Sequence, residues 1–204
     1  MLKTRIAVFV SGGGTNLQAL IDAQSAGRLT AGEIVLVLAS RADAYALTRA
    51  ENAGIPTAVC SRKDLGGQAA FEEAIEEQLS AHGIEMIVLA GFMSILSKSF
   101  TDKWAERIVN VHPSLIPSFC GEGFYGLRVH EAALARGVKV TGATVHFVNE
   151  IPDGGRILLQ KAVPIEDGDT PETLQRRVME QAEWVLLPQA VQMVAEEIAK
   201  EKES

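Results

Sequence analysis

Cysteine is nearly absent from this chain: Cys60 and Cys120 are the only two in 204 residues. Widely separated and in no metal-type pair, they offer no thiolate metal motif, and a disulfide between them is not expected; the expected setting is reducing and cytoplasmic. No apolar run approaches the roughly 20 residues of a bilayer crossing, and no signal-peptide pattern precedes the first apolar segment. Positive charge is also in short supply. Lys and Arg number 19 against 26 Asp and Glu, a formal net charge of −7, and a field of that sign attracts neither nucleic acid nor an anionic membrane. Any anionic ligand must therefore be met by local donors. Internal repeats and low-complexity linkers are missing too. What is present is an ordinary globular composition, 47% hydrophobic and 22% charged, in a length that suits a single domain over 1–204.

Arg5-Ile-Ala-Val-Phe-Val10 is a continuous apolar run of strand length, followed by Ser11-Gly-Gly-Gly-Thr-Asn16 and a helical pattern through Leu17, Leu20 and Ile21. Strand, glycine loop and helix in succession aim free backbone N–H groups and a positive helix end at an anion. The detail does not fit a dinucleotide: Leu17 occupies the third glycine position, and the second strand, Ile34–Ala39, ends in Ser40-Arg41 without a ribose-binding acid. No lysine follows to make a nucleoside-triphosphate loop. A single phosphate fits, and so does a tight turn with no ligand.

Further on, residues 42–53 read as a helix closed by Gly54, and Thr57–Cys60 as a short strand. Residues 68–82 read as a helix whose Glu72, Glu73, Glu76 and Glu77 form a solvated face. The strand Met86–Ala90 opens into Gly91-Phe-Met-Ser-Ile-Leu96, apolar enough to be either a wall for a flat ligand or part of the core. Thr141–Asn149 alternates as a sheet edge does, turns at Glu150–Gly155 and returns as Arg156–Ile165, an antiparallel pair. Thr170 caps a final long helix with Pro171 at its first position, and Pro188 is expected to kink it. The fold class is α/β: an open, mostly parallel twisted sheet with helices on both faces and a late antiparallel hairpin. Ligands of such folds lie beyond the carboxyl ends of the strands.

Arg107-Ile-Val-Asn-Val-His-Pro-Ser-Leu-Ile-Pro117 carries the strongest chemical signal. One residue apart on a strand, Asn110 and His112 share a face, one a non-titrating donor and the other a proton carrier, a pair that suits an oxyanion. A satisfied core histidine is the alternative. Asp153, in Pro-Asp-Gly-Gly, is by itself an ordinary turn residue. His82, His130 and His146 read as structural, and no nucleophile elbow is present, which favours direct transfer. The segment Ser118–Gly126, with three glycines among two Phe and a Tyr, is either a lid or a self-anchored loop.

Taken together, the Ser11–Gln18 loop, Val88-Leu-Ala-Gly-Phe-Met93, Asn110-Val-His-Pro-Ser-Leu-Ile-Pro117 and Thr144–Val148 followed by Asp153-Gly-Gly155 resemble the folate-dependent phosphoribosylglycinamide formyltransferases along nearly the whole chain. The resemblance implies a Rossmann-like formyltransferase fold with a phosphate-binding half (1–100) and a catalytic, folate-binding half (101–204). It implies 10-formyltetrahydrofolate as co-substrate, glycinamide ribonucleotide as acceptor, no metal, and a monomer or homodimer. It makes Asn110, His112 and Asp153 catalytic, and assigns Gly14, Thr15, Asn16, Leu17, Gln18 and Glu183 to the ribonucleotide, with Glu180 as the alternative acid. Met93, Ser94, Ile95 and Leu96 on one side, and Asn149, Glu150, Ile151, Pro152 and Asp153 on the other, are assigned to the folate. Ser94 and Gln68 stand where Arg is common in the family, so contacts to the folate tail are expected to differ, with Arg62 or Lys63 as replacements. Related deformylases and tRNA formyltransferases carry an extra domain for which 204 residues leave no room.

Overall fold

The computed structural model describes residues 3–203. Its strands are β1 (Thr4–Val10), β2 (Gly32–Ala39), β3 (Thr57–Val59), β4 (Met86–Leu89), β5 (Ile108–His112), β6 (Val140–Phe147) and β7 (Ile157–Pro164). They form one sheet in the order β3-β2-β1-β4-β5-β6-β7. The first five run parallel; β6 is antiparallel to β5, and β7 to β6. The strand order reverses between β1 and β4, which opens a crevice at their carboxyl ends.

β1 shows why the apolar runs lack alternation. Ile6, Val8 and Val10 enter one core and Ala7 and Phe9 the other, and all five are fully buried. The first core packs against α1 (Thr15–Ser25), α2 (Tyr45–Asn52), α6 (Pro171–Val178) and α7 (Trp184–Glu201); the second packs against α3 (Gln68–Ala81) and α4 (Lys98–Lys103). A sheet covered on both faces buries both phases of each central strand. α5 (Leu127–Arg136) closes at Gly137, in the left-handed conformation that ends helices.

Several expectations need correction. β6 is not an edge: it lies between β5 and β7 and is buried from Thr141 to Phe147, leaving β7 outermost. The helix expected over 42–53 starts at Tyr45, because Arg41 and Asp43 form a local ion pair in the turn before it. The acidic face of α3 is only partly solvated. Glu72 accepts from the Ser97 backbone N–H (2.6 Å) and hydroxyl (2.6 Å), and Glu76 from Lys103 (2.6 Å) and the Trp104 indole (3.0 Å). The last helix is interrupted before Pro188, not at it. Thr170 and Thr173 form a capping box with Pro171 at the first position, α6 runs to Val178, and Met179–Glu183 form a π-helical turn. Pro188 then sits inside α7. Its ring offers no N–H to the carbonyl four residues earlier, that of Trp184, the first residue of α7 after the wider turn.

Candidate active site

The glycine loop leaves β1 at the crevice. Gly14 takes φ 72° as the N-cap of α1, and a Cβ there would lie 2.6 Å from that of Ala46, so the position requires glycine. The first bond of the helix runs from Gln18 N–H to Gly14 O (2.9 Å), which leaves the preceding N–H groups at the positive end. Leu17 puts its side chain wholly into the core, and Gln18, which lines a cavity with Thr15 and Arg49, donates to Asp22 and accepts from Arg49. Asn16 donates to Glu183 (2.7 Å). Glu183, on the π-helical turn, is the acid that reaches the loop, whereas Glu180 is exposed beside Arg176. Burial pushes the Glu183 carboxyl up to about 7, against the lowering effect of the Asn16 amide. The Ser11 hydroxyl pairs with that of Ser40 (2.6 Å) and accepts from Met93 N–H (2.8 Å), tying this loop to the one after β4.

The register of β5 on β6 sets Asn110 opposite His146 and His112 opposite Thr144. Asn110 Nδ2 lies 3.2 Å from His146 Nε2. His146 Nδ1 faces the Phe147 carbonyl at 2.8 Å and must donate there, which leaves Nε2 as the ring nitrogen turned to Asn110. The second Asn110 proton remains for a ligand. Asp153 arrives on the turn after β6, with Oδ2 3.4 Å from His112 Nδ1 and Oδ1 3.5 Å from His146 Nε2. Asp153 holds φ 56°, a conformation a short polar side chain tolerates. Gly155 lets the turn press against β6, since a Cβ there would meet Phe147 O at 1.7 Å.

Electrostatically, His112 is a contest. Burial pushes its imidazole below the ordinary histidine value and outweighs the Asp153 charge and the Phe119 carbonyl, which both raise it. Asp153 thus draws His112 toward its charged form, and burial draws it more strongly toward the neutral one. Even so, both ring nitrogens face acceptors: Nε2 meets Phe119 O at 2.8 Å and Nδ1 meets Asp153. The positions fit an imidazolium even though burial opposes it. For Asp153, burial raises the carboxyl but loses to His146, the Gly121 N–H (2.8 Å) and the His112 charge, which hold it below the usual carboxylate range.

These four side chains close one end of a cleft of ≈ 540 Å³, walled by residues 91–96 on one side and 148–153 on the other and flanked by residues 121–126. The apolar loop after β4 divides between core and cleft: Leu96 is buried and Phe92 stacks on Phe71, while Met93 and Ile95 are exposed. Gln68 does not face the cleft freely, since it donates to Ile95 O (3.0 Å) and Glu72 and accepts from Arg62. The 118–126 segment is fastened to the chemistry through Phe119 O and Gly121 N–H, with Phe119 edge-on to Phe124.

Sequence reasoning missed His146. Its spacing from Thr144 matches that of His112 from Asn110, but only the register shows that the two strands face each other there. His82 is structural, capping α3 with Nδ1 2.9 Å from Gln78 O. His130 is fully buried and pushed down to about 4 by burial and then by the His112 charge; among the described residues neither ring nitrogen has a hydrogen-bond partner. Cys60 and Cys120 are free thiols. Among the described residues, no cluster of three or more His, Cys, Asp or Glu could hold a metal ion, and no helix is long and apolar enough to cross a membrane.

Comparison with known proteins gives a consistent picture. Residues 4–191 match the family model described as formyl transferase. The chain is 42% identical over 192 residues to the phosphoribosylglycinamide formyltransferase of Haemophilus influenzae, covering 94% of this chain and 87% of that protein. It is 48% identical over 193 residues to the trifunctional purine biosynthetic protein adenosine-3 of Gallus gallus, covering 95% of this chain but only 18% of that much longer protein. The crystal structure of the phosphoribosylglycinamide formyltransferase from Brucella melitensis superposes with a TM-score of 0.86 at 45% identity, covering 95% of this chain and 96% of that one.

Proposed function

Because the chain belongs to the formyl transferase family, we propose that it moves the formyl group of 10-formyltetrahydrofolate onto the amine of 5′-phosphoribosylglycinamide, giving the formylated ribonucleotide and tetrahydrofolate in purine biosynthesis. The observation that carries this reading is the convergence of Asn110, His112, His146 and Asp153 at the end of a cleft that a serine hydroxyl joins to an anion-ready glycine loop.

In this reading the N–H groups of Gly14, Thr15 and Asn16 take the acceptor's phosphate at the start of α1, with Leu17 and Gln18 contributing backbone only. Glu183, held by Asn16, meets the ribose or amine. The pterin lies between Met93–Leu96 and Asn149–Asp153, presenting its formyl group to Asn110 and His112. Attack by the amine gives a tetrahedral carbon whose oxygen becomes negative. The free Asn110 proton meets that oxygen, and His112, which takes a proton from solvent as the negative charge grows and returns it to solvent when the tetrahedral carbon collapses, has its two nitrogens placed for the charged form. Removing one such donor typically costs about 2.7–4 kcal/mol of barrier. Asp153, ionised in its low-pKa setting, takes the amine proton directly or through water. That proton ends on N10 of the folate as the carbon–N10 bond breaks, so no acyl-enzyme is needed.

The test follows the absorbance of 10-formyl-5,8-dideazafolate with and without glycinamide ribonucleotide. Turnover that needs the ribonucleotide is the expected result. Turnover without it would replace transfer by hydrolysis, and none in either case would sink the catalytic reading.

A further inference from the structure

We propose that Arg49 is a positioning residue for the acceptor's phosphate: from α2 it holds the glycine loop so that the loop's N–H groups face the ligand. The inference rests on reading that loop as the phosphate site. All three glycine carbonyls are occupied by protein donors. Gly12 O accepts from Ala46 N–H (3.0 Å), Gly13 O from Arg49 Nε–H (2.7 Å) and Gly14 O from Gln18 N–H (2.9 Å). In a planar trans peptide the C=O of one residue and the N–H of the next point in opposite directions. Fixing those carbonyls therefore turns the N–H groups of Gly13, Gly14 and Thr15 the other way, which aims two of the three phosphate donors named above, Gly14 and Thr15, and keeps three partial negative charges off the anion.

Two of the three anchors are backbone N–H groups at the starts of α1 and α2, but Arg49 is a side chain and serves twice. Its Nη1 also donates to Gln18 Oε1 (3.1 Å), so one planar fork bridges the loop and the second turn of α1, and the guanidinium lies 5.1 Å from the centre of the Tyr45 ring. Without it, the Gly13 carbonyl keeps no hydrogen bond among the described residues, and the open space where a Cβ on Gly13 would lie leaves that peptide unit room to turn.

The experiment compares the wild-type chain with Arg49→Gln and Arg49→Lys on two acceptors, glycinamide ribonucleotide and its dephosphorylated riboside, with thermal melts confirming that each variant is folded. For Arg49→Gln, KM for the ribonucleotide should rise by about tenfold, the scale of one charge-assisted hydrogen bond. Its kcat, its KM for the formyl donor and its kcat/KM for the riboside should stay within about twofold of wild type. Lysine keeps the charge but lacks the fork, so Arg49→Lys should recover only part of the loss. Equal losses on both acceptors, or no loss on either, would overturn the role of Arg49. A wild-type chain that uses both acceptors equally well would instead show that the loop is not the phosphate site. If Arg49→Gln does not fold, the same split between acceptors is read from Arg49→Lys.

Discussion

Asp153, half-buried, and Glu183, buried, are both carboxyls of the site, and their environments push them in opposite directions. Asp153 sits among the Gly121 N–H, His146 and His112 and is held below the ordinary carboxylate range. Glu183 has the Asn16 amide, and burial lifts it to about 7. Glu183 lies deeper than Asp153, and its amide donor is neutral where Asp153 has an N–H and two histidines, so burial and donors act in the same sense on the difference. One region is thus built to keep a negative charge beside a histidine, and the other to hold an acid close to its ionisation point, where a change in its surroundings moves a proton.

The largest effect should come from removing the charge on the first of these. Asp153→Asn is expected to lower kcat by about 10²–10⁴-fold, the range of a lost acid–base group, while glycinamide ribonucleotide still binds, as steady-state kinetics and calorimetric titration would show. Full activity in that variant ends the assigned role. Next comes the turn that delivers Asp153. Gly155→Ala places a Cβ where Phe147 O already lies, and a stability loss of about 3 kcal/mol or more is expected in urea unfolding, with a fall in kcat. Unchanged stability would mean that the turn has room to move.

The smallest effect belongs to Glu183 and is read against pH. Its folded pKa of about 7 exceeds the ordinary 4.5, so the native state holds the proton more tightly than the unfolded chain. The stability this contributes is complete below about pH 4.5 and is lost as pH rises through about 7. Relative to Glu183→Gln, the wild-type unfolding free energy should therefore fall by up to about 3 kcal/mol across that window, measured by denaturation at a series of pH values. A difference that stays flat with pH would show that Glu183 is already ionised in the fold.

Much of the fold is legible because its signals are local. Buried strand runs, Gly137 after α5 and the Thr170-Pro171 start of α6 each act within a few residues. Asn110 and His112 are legible for the same reason, since a period of two puts them on one face. His146 is not, because its partner lies 36 positions away and is found only through strand register. The acids of α3 escaped for a similar reason: the caps on Glu72 and the clamps on Glu76 come from residues 97–104. The depressed His112 also lay out of reach. A sequence shows that a carboxylate is available to charge a histidine, but not how much water the fold removes from it.

The π-helical turn at Met179–Glu183 carries one more consequence. It stands between a well-capped helix start and the apolar stripe of α7, and its wider turn takes in one residue more than an α-helical turn would. Deleting one residue there would let the turn close to α-helical geometry with the phase of α7 nearly kept, so Leu187, Val191 and Val194 would stay in the core. The loss would fall on Glu183, whose reach to Asn16 depends on its place in the wider turn. The extra residue thus belongs to the site and not to the packing of the helix, and a one-residue deletion here should cost activity far more than stability.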